Sequence, residues 1–189
     1  MKFKLILAIF IIAITGTSLP ADKGQTVQDF ILRDTDNKEY SLTHFSHAKA
    51  IVLVFVSTRC PWSNAYNERL IKLVNNYKDK NVQFLAINSN QLESVEEIKT
   101  HSIENNLNLP VLKDTDNRVA DQLQASVTPE VYVIGKNYKI LYHGRIDDSR
   151  DETQVKSKDL ENALQAILAG KEVTINTTKA FGCSIKRSN

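Results

Sequence analysis

Two cysteines, Cys60 and Cys183, make up the whole thiol complement of this 189-residue chain. The first lies in Ser57-Thr58-Arg59-Cys60-Pro61-Trp62-Ser63, between a run that reads as a buried strand and one that reads as a helix. A sulfur at such a junction faces the unpaired N–H groups and the positive end of the helix dipole, which favour thiolate over thiol. Arg59 is expected to add a cation, and Ser57 or Ser63 a hydrogen bond to sulfur, each lowering the thiol pKa. An inert, packed cysteine is the alternative, since free cysteine behaves as a small hydrophobe. A mid-strand position would favour that alternative; a junction beside arginine and proline favours reactivity. His44 and His47 lack a third ligand and read as loop residues rather than a metal site. The two Asp-Thr-Asp-Asn strings, 34–37 and 114–117, read as turns, too poor in carboxylates for calcium loops. No metal, nucleotide or flavin motif is visible, so no cofactor is expected.

The elements that must position Cys60 follow from hydrophobic period. Ala50 to Val56 is a continuous β-branched and aromatic run, as in a central strand buried on both faces. After Cys60 the period changes: Trp62, Tyr66, Leu70, Leu73, Val74 and Tyr77 fall at helical spacing, predicting one helix from Pro61 to Tyr77. Proline suits the first helical turn, where its missing N–H is not needed. Further strands are expected at 27–32, 82–87 and 131–134, and a hairpin partner at 139–143 after the Gly135-Lys136-Asn137 turn. Helices are expected at 92–107, around Val119–Leu123, and over Leu160–Leu168, stopped by Gly170. The order β-β-β-α-β-α-α-β-β-α gives a one-domain α/β sandwich, a mixed sheet flanked by helices.

Met1-Lys2-Phe3-Lys4 is positive, 5–15 is uncharged and apolar, and small residues follow at 16–18. That pattern is a secretory signal peptide, assigned to residues 1–21, with cleavage after Ser18 or Ala21. An uncleaved membrane anchor, which needs about 20 apolar residues, is the weaker reading. The mature protein is thus expected in the periplasm or outside the cell, where disulfides persist. Losing Lys2 and Lys4 leaves 22 basic and 22 acidic residues, so nothing advertises a nucleic-acid partner. The domain is expected over 22–170, with 171–189 a polar tail carrying Cys183. Asn176-Thr177-Thr178 fits a glycosylation acceptor, which matters only in a eukaryotic secretory pathway.

Cys60-Pro61-Trp62-Ser63 resembles the Cys-x-x-Cys motif of thioredoxins with serine in the second place. Thr128-Pro129 falls where that fold places its cis-proline loop. The chain is more similar to the peroxiredoxin-like branch of the redoxins, the alkyl hydroperoxide reductase/thiol-specific antioxidant superfamily. Cys60-Pro61, Asn64-Ala65-Tyr66, Ala86-Ile87-Asn88-Ser89-Asn90, Gly144-Arg145-Ile146-Asp147-Asp148 and Gly182-Cys183-Ser184-Ile185-Lys186 carry this resemblance. It implies a thioredoxin-like fold and thiol-dependent oxidoreductase activity. In the peroxiredoxin motif Pro-x-x-x-Thr/Ser-x-x-Cys, Ser57 supplies the hydroxyl and Leu53 replaces the proline. By the same resemblance, Cys60 attacks a hydroperoxide or a protein disulfide, and Cys183 resolves the product, within one subunit or across a homodimer. Thr128 and Pro129 would bound the site, with Ser57, Arg59, Pro61, Trp62, Ser63 and Arg145 around it. An external, thioredoxin-like dithiol donor would reset it. The competing reading is a non-catalytic binding module stapled by a permanent Cys60–Cys183 disulfide.

Overall fold

A computed structural model describes residues 24–187; the expected signal peptide lies outside the described residues. The centre is the run of β-branched and aromatic residues that the sequence singled out. It forms β3 (Ala50–Phe55), buried at every position. Parallel to it lies β4 (Val82–Asn88), and antiparallel on its other side β7 (Glu130–Ile134), with Leu53 opposite Leu85 and Tyr132. The remaining strands of the main sheet are β1 (Leu32–Asp34), β2 (Glu39–Tyr40), β5 (Val111–Lys113) and β8 (Ile140–Gly144). Their order is β2-β1-β5-β4-β3-β7-β8. A separate two-stranded pair joins β6 (Val127–Thr128) to β9 (Cys183–Ser184).

Alternate side chains of β3 feed two cores. Val52 and Val54 meet α2 (Asn67–Tyr77) and α5 (Asp159–Leu168) on one face. Leu53 and Phe55 meet α4 (Arg118–Leu123), Tyr40 and Ile185 on the other. α3 (Val95–Glu104) lies between β4 and β5 in the chain, and Ser94 caps it by accepting from the Glu97 N–H at 3.1 Å.

Three expectations about the elements need correction. The single helix 61–77 is two, α1 (Pro61–Asn64) and α2. Tyr66 N–H bonds to the Ser63 carbonyl, tightening the turn, and the Tyr66 hydroxyl is drawn to Asp147 at 2.9 Å and the Ser149 carbonyl at 3.0 Å. The strand expected at 27–32 pairs in the sheet only from Leu32 onward. Before that, the exposed Asp29 accepts from the Leu42 N–H and the Thr43 hydroxyl. The helix expected over 92–107 spans 95–104, with Leu92 70% exposed. β5, a three-residue strand, carries too short a period to be seen in the sequence.

Candidate active site

Cys60 caps the N-terminus of α1, and only 2% of its surface is exposed. Its sulfur accepts from the Ser63 N–H at 3.3 Å and donates to the Thr128 carbonyl at 3.2 Å. The Thr128–Pro129 peptide is cis, as the resemblance implied. The β6–β9 pairing sets Cys183 opposite Thr128, so the tail brings the second thiol to the first across a separation of 123 residues. Both are free thiols, and no disulfide joins them.

Burial pushes the Cys60 thiol up, but hydrogen bonds outweigh it. The Cys183 thiol, the Thr128 side chain and the N–H groups of Ser63 and Cys183 together hold Cys60 below the ordinary thiol value. Cys183 moves the other way: burial and the neighbouring Cys60 sulfur raise it, against the Trp62 N–H that favours its thiolate. One thiol is thereby made the readier anion, and the other keeps its proton more tightly. The Thr128 hydroxyl is buried and makes no hydrogen bond to any other group, so its donor capacity is directed at the Cys60 sulfur.

The residues expected around Cys60 divide into those that meet it and those that do not. Ser63 meets it through its N–H, which binds the sulfur, while its hydroxyl oxygen accepts from the Ser57 N–H at 3.1 Å. Pro61 occupies the first helical position. Trp62 leaves the helix face and meets Phe181 edge-on, ring centroids 5.4 Å apart, with the Arg150 guanidinium over its ring at 5.3 Å. Arg59 does not serve the sulfur as expected. Its guanidinium forms a two-pronged pair with Glu97, at 2.8 and 2.7 Å, because that carboxylate lies on the adjacent first turn of α3. Arg145 is likewise occupied, pairing with Asp159 at 2.7 Å. Ser57 turns its hydroxyl to Glu93, 2.5 Å away.

Glu93 is the residue that the sequence concealed. It is 3% exposed, and its two oxygens accept from the Ser57 hydroxyl, the Thr58 N–H at 2.8 Å, the Arg59 N–H at 3.4 Å and the Asn88 amide. A buried carboxylate is tolerated when such donors surround it, and here three of the four, Ser57, Thr58 and Arg59, belong to the loop that carries Cys60. Its position one residue before the Ser94 cap was the only hint. A second buried acid, Glu130, follows Pro129 and accepts from the Ser126 and Val127 N–H groups at 2.8 and 3.1 Å. It also pairs with His143 at 2.6 Å, so the cis-proline loop is fixed from below as well. His44 and His47 lie exposed, away from these groups. No cluster of three or more potential metal ligands occurs among the described residues.

A sequence profile of the AhpC/TSA family matches residues 23–143. Among curated proteins, the chain is 30% identical over 79 residues to a "Probable phospholipid hydroperoxide glutathione peroxidase" of Mesembryanthemum crystallinum, covering 42% of this chain and 46% of that one. It is 25% identical over 121 residues to the thiol-disulfide oxidoreductase ResA of Bacillus subtilis, covering 63% and 65%. The matches thus span less than two thirds of either relative. Of solved structures, the hypothetical protein SMc02350 from Sinorhizobium meliloti 1021 superposes with a TM-score of 0.83 at 30% identity, over 88% of this chain and 95% of that one. The fold is thioredoxin-like.

Proposed function

The chain belongs to the AhpC/TSA family and is a peroxiredoxin-like redoxin; on that premise we propose that it is a thiol–disulfide oxidoreductase with Cys60 as nucleophile and Cys183 as resolving cysteine. The observation that carries this reading is the pairing of Thr128 with Cys183, which sets two free thiols of shifted and opposite acidity side by side.

The Cys60 thiolate attacks one sulfur of a substrate disulfide, forming a mixed disulfide and releasing the other sulfur as a thiolate. Cys183, losing its proton, then attacks the Cys60 sulfur. A Cys60–Cys183 disulfide forms, and the second substrate thiolate leaves. The substrate gains two electrons and the cysteine pair loses two. An external dithiol returns them by attack on Cys183, the more exposed of the two sulfurs. The linkage is intramolecular, because the tail of the same chain carries Cys183 to the site. The reading includes export through the leader, into a compartment where disulfides are the prevailing substrates.

Disulfide exchange is favoured over peroxide reduction by where the polar groups point. Arg59 and Arg145, the two arginines expected at the site, are paired elsewhere, and the Ser57 hydroxyl donates to Glu93. The test uses the chain's single tryptophan, Trp62, which touches the tail through Phe181. Reduced full-length protein is mixed with cystine or with hydrogen peroxide, and Trp62 fluorescence is followed. A change proportional to cystine concentration, faster than with peroxide and abolished in Cys60→Ser, is expected. A response to peroxide alone would assign a peroxidase instead. Silence toward both would leave the binding module.

A further inference from the structure

The strand edge beside Cys60 is already occupied by the chain itself. β9 pairs with β6, Val127 opposite Ser184 and Thr128 opposite Cys183. Beyond it, the Ile185 N–H donates to the Ser126 carbonyl at 2.9 Å and the Lys186 N–H to Asn90 Oδ1 at 2.9 Å. Arg187 reaches the Asp121 carboxylate at 2.8 Å and the Ala125 carbonyl at 2.6 Å. Ile185 is buried in the core that β3 and α4 share. On the other flank, Phe181 lies against Trp62. Between them, Gly182 passes so close that a Cβ there would stand 1.9 Å from the Thr128 carbonyl oxygen. Residues 181–187 therefore form a strap, fastened on both sides of Cys183, over a Cys60 that is almost fully covered.

An extended polypeptide approaching Cys60 needs backbone partners alongside it, and those of β6 are bonded to β9. To use them it would have to lift the whole strap, withdrawing Ile185 from the core and removing Cys183 from the reaction. A small disulfide needs no strand edge, only a path past the half-exposed Cys183 sulfur. Resting on the thiol–disulfide reading of the site, we infer that the strap makes this chain selective for low-molecular-weight disulfides and closes Cys60 to disulfides carried on extended polypeptide. The balance is as before: one R–S–S–R bond breaks, the Cys60–Cys183 bond forms, and two RSH leave after taking up the two thiol protons.

The test compares glutathione disulfide with a short extended peptide whose single cysteine is disulfide-bonded to glutathione. Each is mixed with the reduced full-length chain, and each rate is divided by that of the same probe with dithiothreitol. The first step, loss of the Cys60 thiol, is read by acid quench and mass spectrometry. For the native chain the small disulfide is expected to react at least about tenfold faster. Gly182→Ala, or Ile185→Ala should the first variant not fold, loosens the strap. Either is expected to raise the peptide rate about tenfold while the small-disulfide rate stays within about threefold. Equal normalised rates in the native chain, or variants that raise both rates alike, would overturn the selectivity. If neither disulfide reacts and hydrogen peroxide oxidises Cys60, the exchange reading itself falls, a result distinct from loss of selectivity.

Discussion

Cys60 and Cys183 lie side by side, yet the first is held by the centre of the main sheet and the second by a two-residue strand outside it. The loop that carries Cys60 leaves β3, which is buried on both faces, and is bound from below by Glu93 through two backbone N–H groups and a hydroxyl. Cys183 is placed by edge pairing, one buried isoleucine and an aromatic contact. On the proposed cycle the attacking sulfur is thus fixed, and the resolving sulfur would be delivered by a segment able to open locally. In that cycle a mixed disulfide would form on Cys60 before Cys183 takes its place, and the strap, the less deeply anchored of the two segments, would yield the space.

Substitutions at the two sulfurs separate these roles most sharply. Cys60→Ser is expected to lose all disulfide reduction, whereas Cys183→Ser should complete the first step and stop at a mixed disulfide, seen as added mass on Cys60. Equal loss in both would erase the distinction. Next in size is Glu93→Ala, which strands the Ser57 hydroxyl and the Thr58 N–H and is expected to destabilise by about 3 kcal/mol in urea unfolding. Ile185→Ala, on the strap, is expected to lower global stability by only about 1 kcal/mol, because the strap opens before the rest unfolds. The reverse order would mean that the strap, not the Glu93 brace, holds the site.

A smaller effect sharpens the coupling between the thiols. Cys183→Ala removes a hydrogen bond that lowers Cys60, so the Cys60 inflection in ultraviolet thiolate absorbance should move to higher pH. The sign for stability follows: a folded-state pKa below the unfolded one stabilises above the unfolded value and is lost as pH falls through the folded one. In the native chain the raised Cys183 contributes with the opposite sign, so the two thiols offset each other in stability, and the Cys60 inflection is the readout of the coupling. Smallest of all is Arg59→Gln. The Arg59 side chain holds Glu97 down at about 2, so its contribution is present above the ordinary carboxylate range and fades only as pH falls toward that value. The pair is largely exposed and solvent-screened, and the Cys60 inflection should not move; a shift would restore arginine to the site.

The same contrast explains what could be read from the sequence. β3, β4 and α5 are long and periodic, and Cys60 at the strand-to-helix junction is a local feature, so both are visible in residue order. β9 is two residues long and exists only because Gly182 lets it approach Thr128. Glu93 reaches a loop more than thirty residues earlier, a contact that no period encodes. Arg59 misleads for a related reason: adjacency to Cys60 is local, while its partner Glu97 is brought near only by the fold.

The central claim is that Cys60 and Cys183 form a reversible redox couple. It is tested most directly by equilibrating the full-length chain in buffers of graded reduced-to-oxidised glutathione ratio, trapping free thiols by alkylation and weighing the intact protein. The account predicts two populations, one with both thiols alkylated and one with neither, joined by a 60–183 linkage and interconverting with the ratio. Cysteines that never pair at any ratio, or a linkage that no ratio and no dithiol opens, would contradict it.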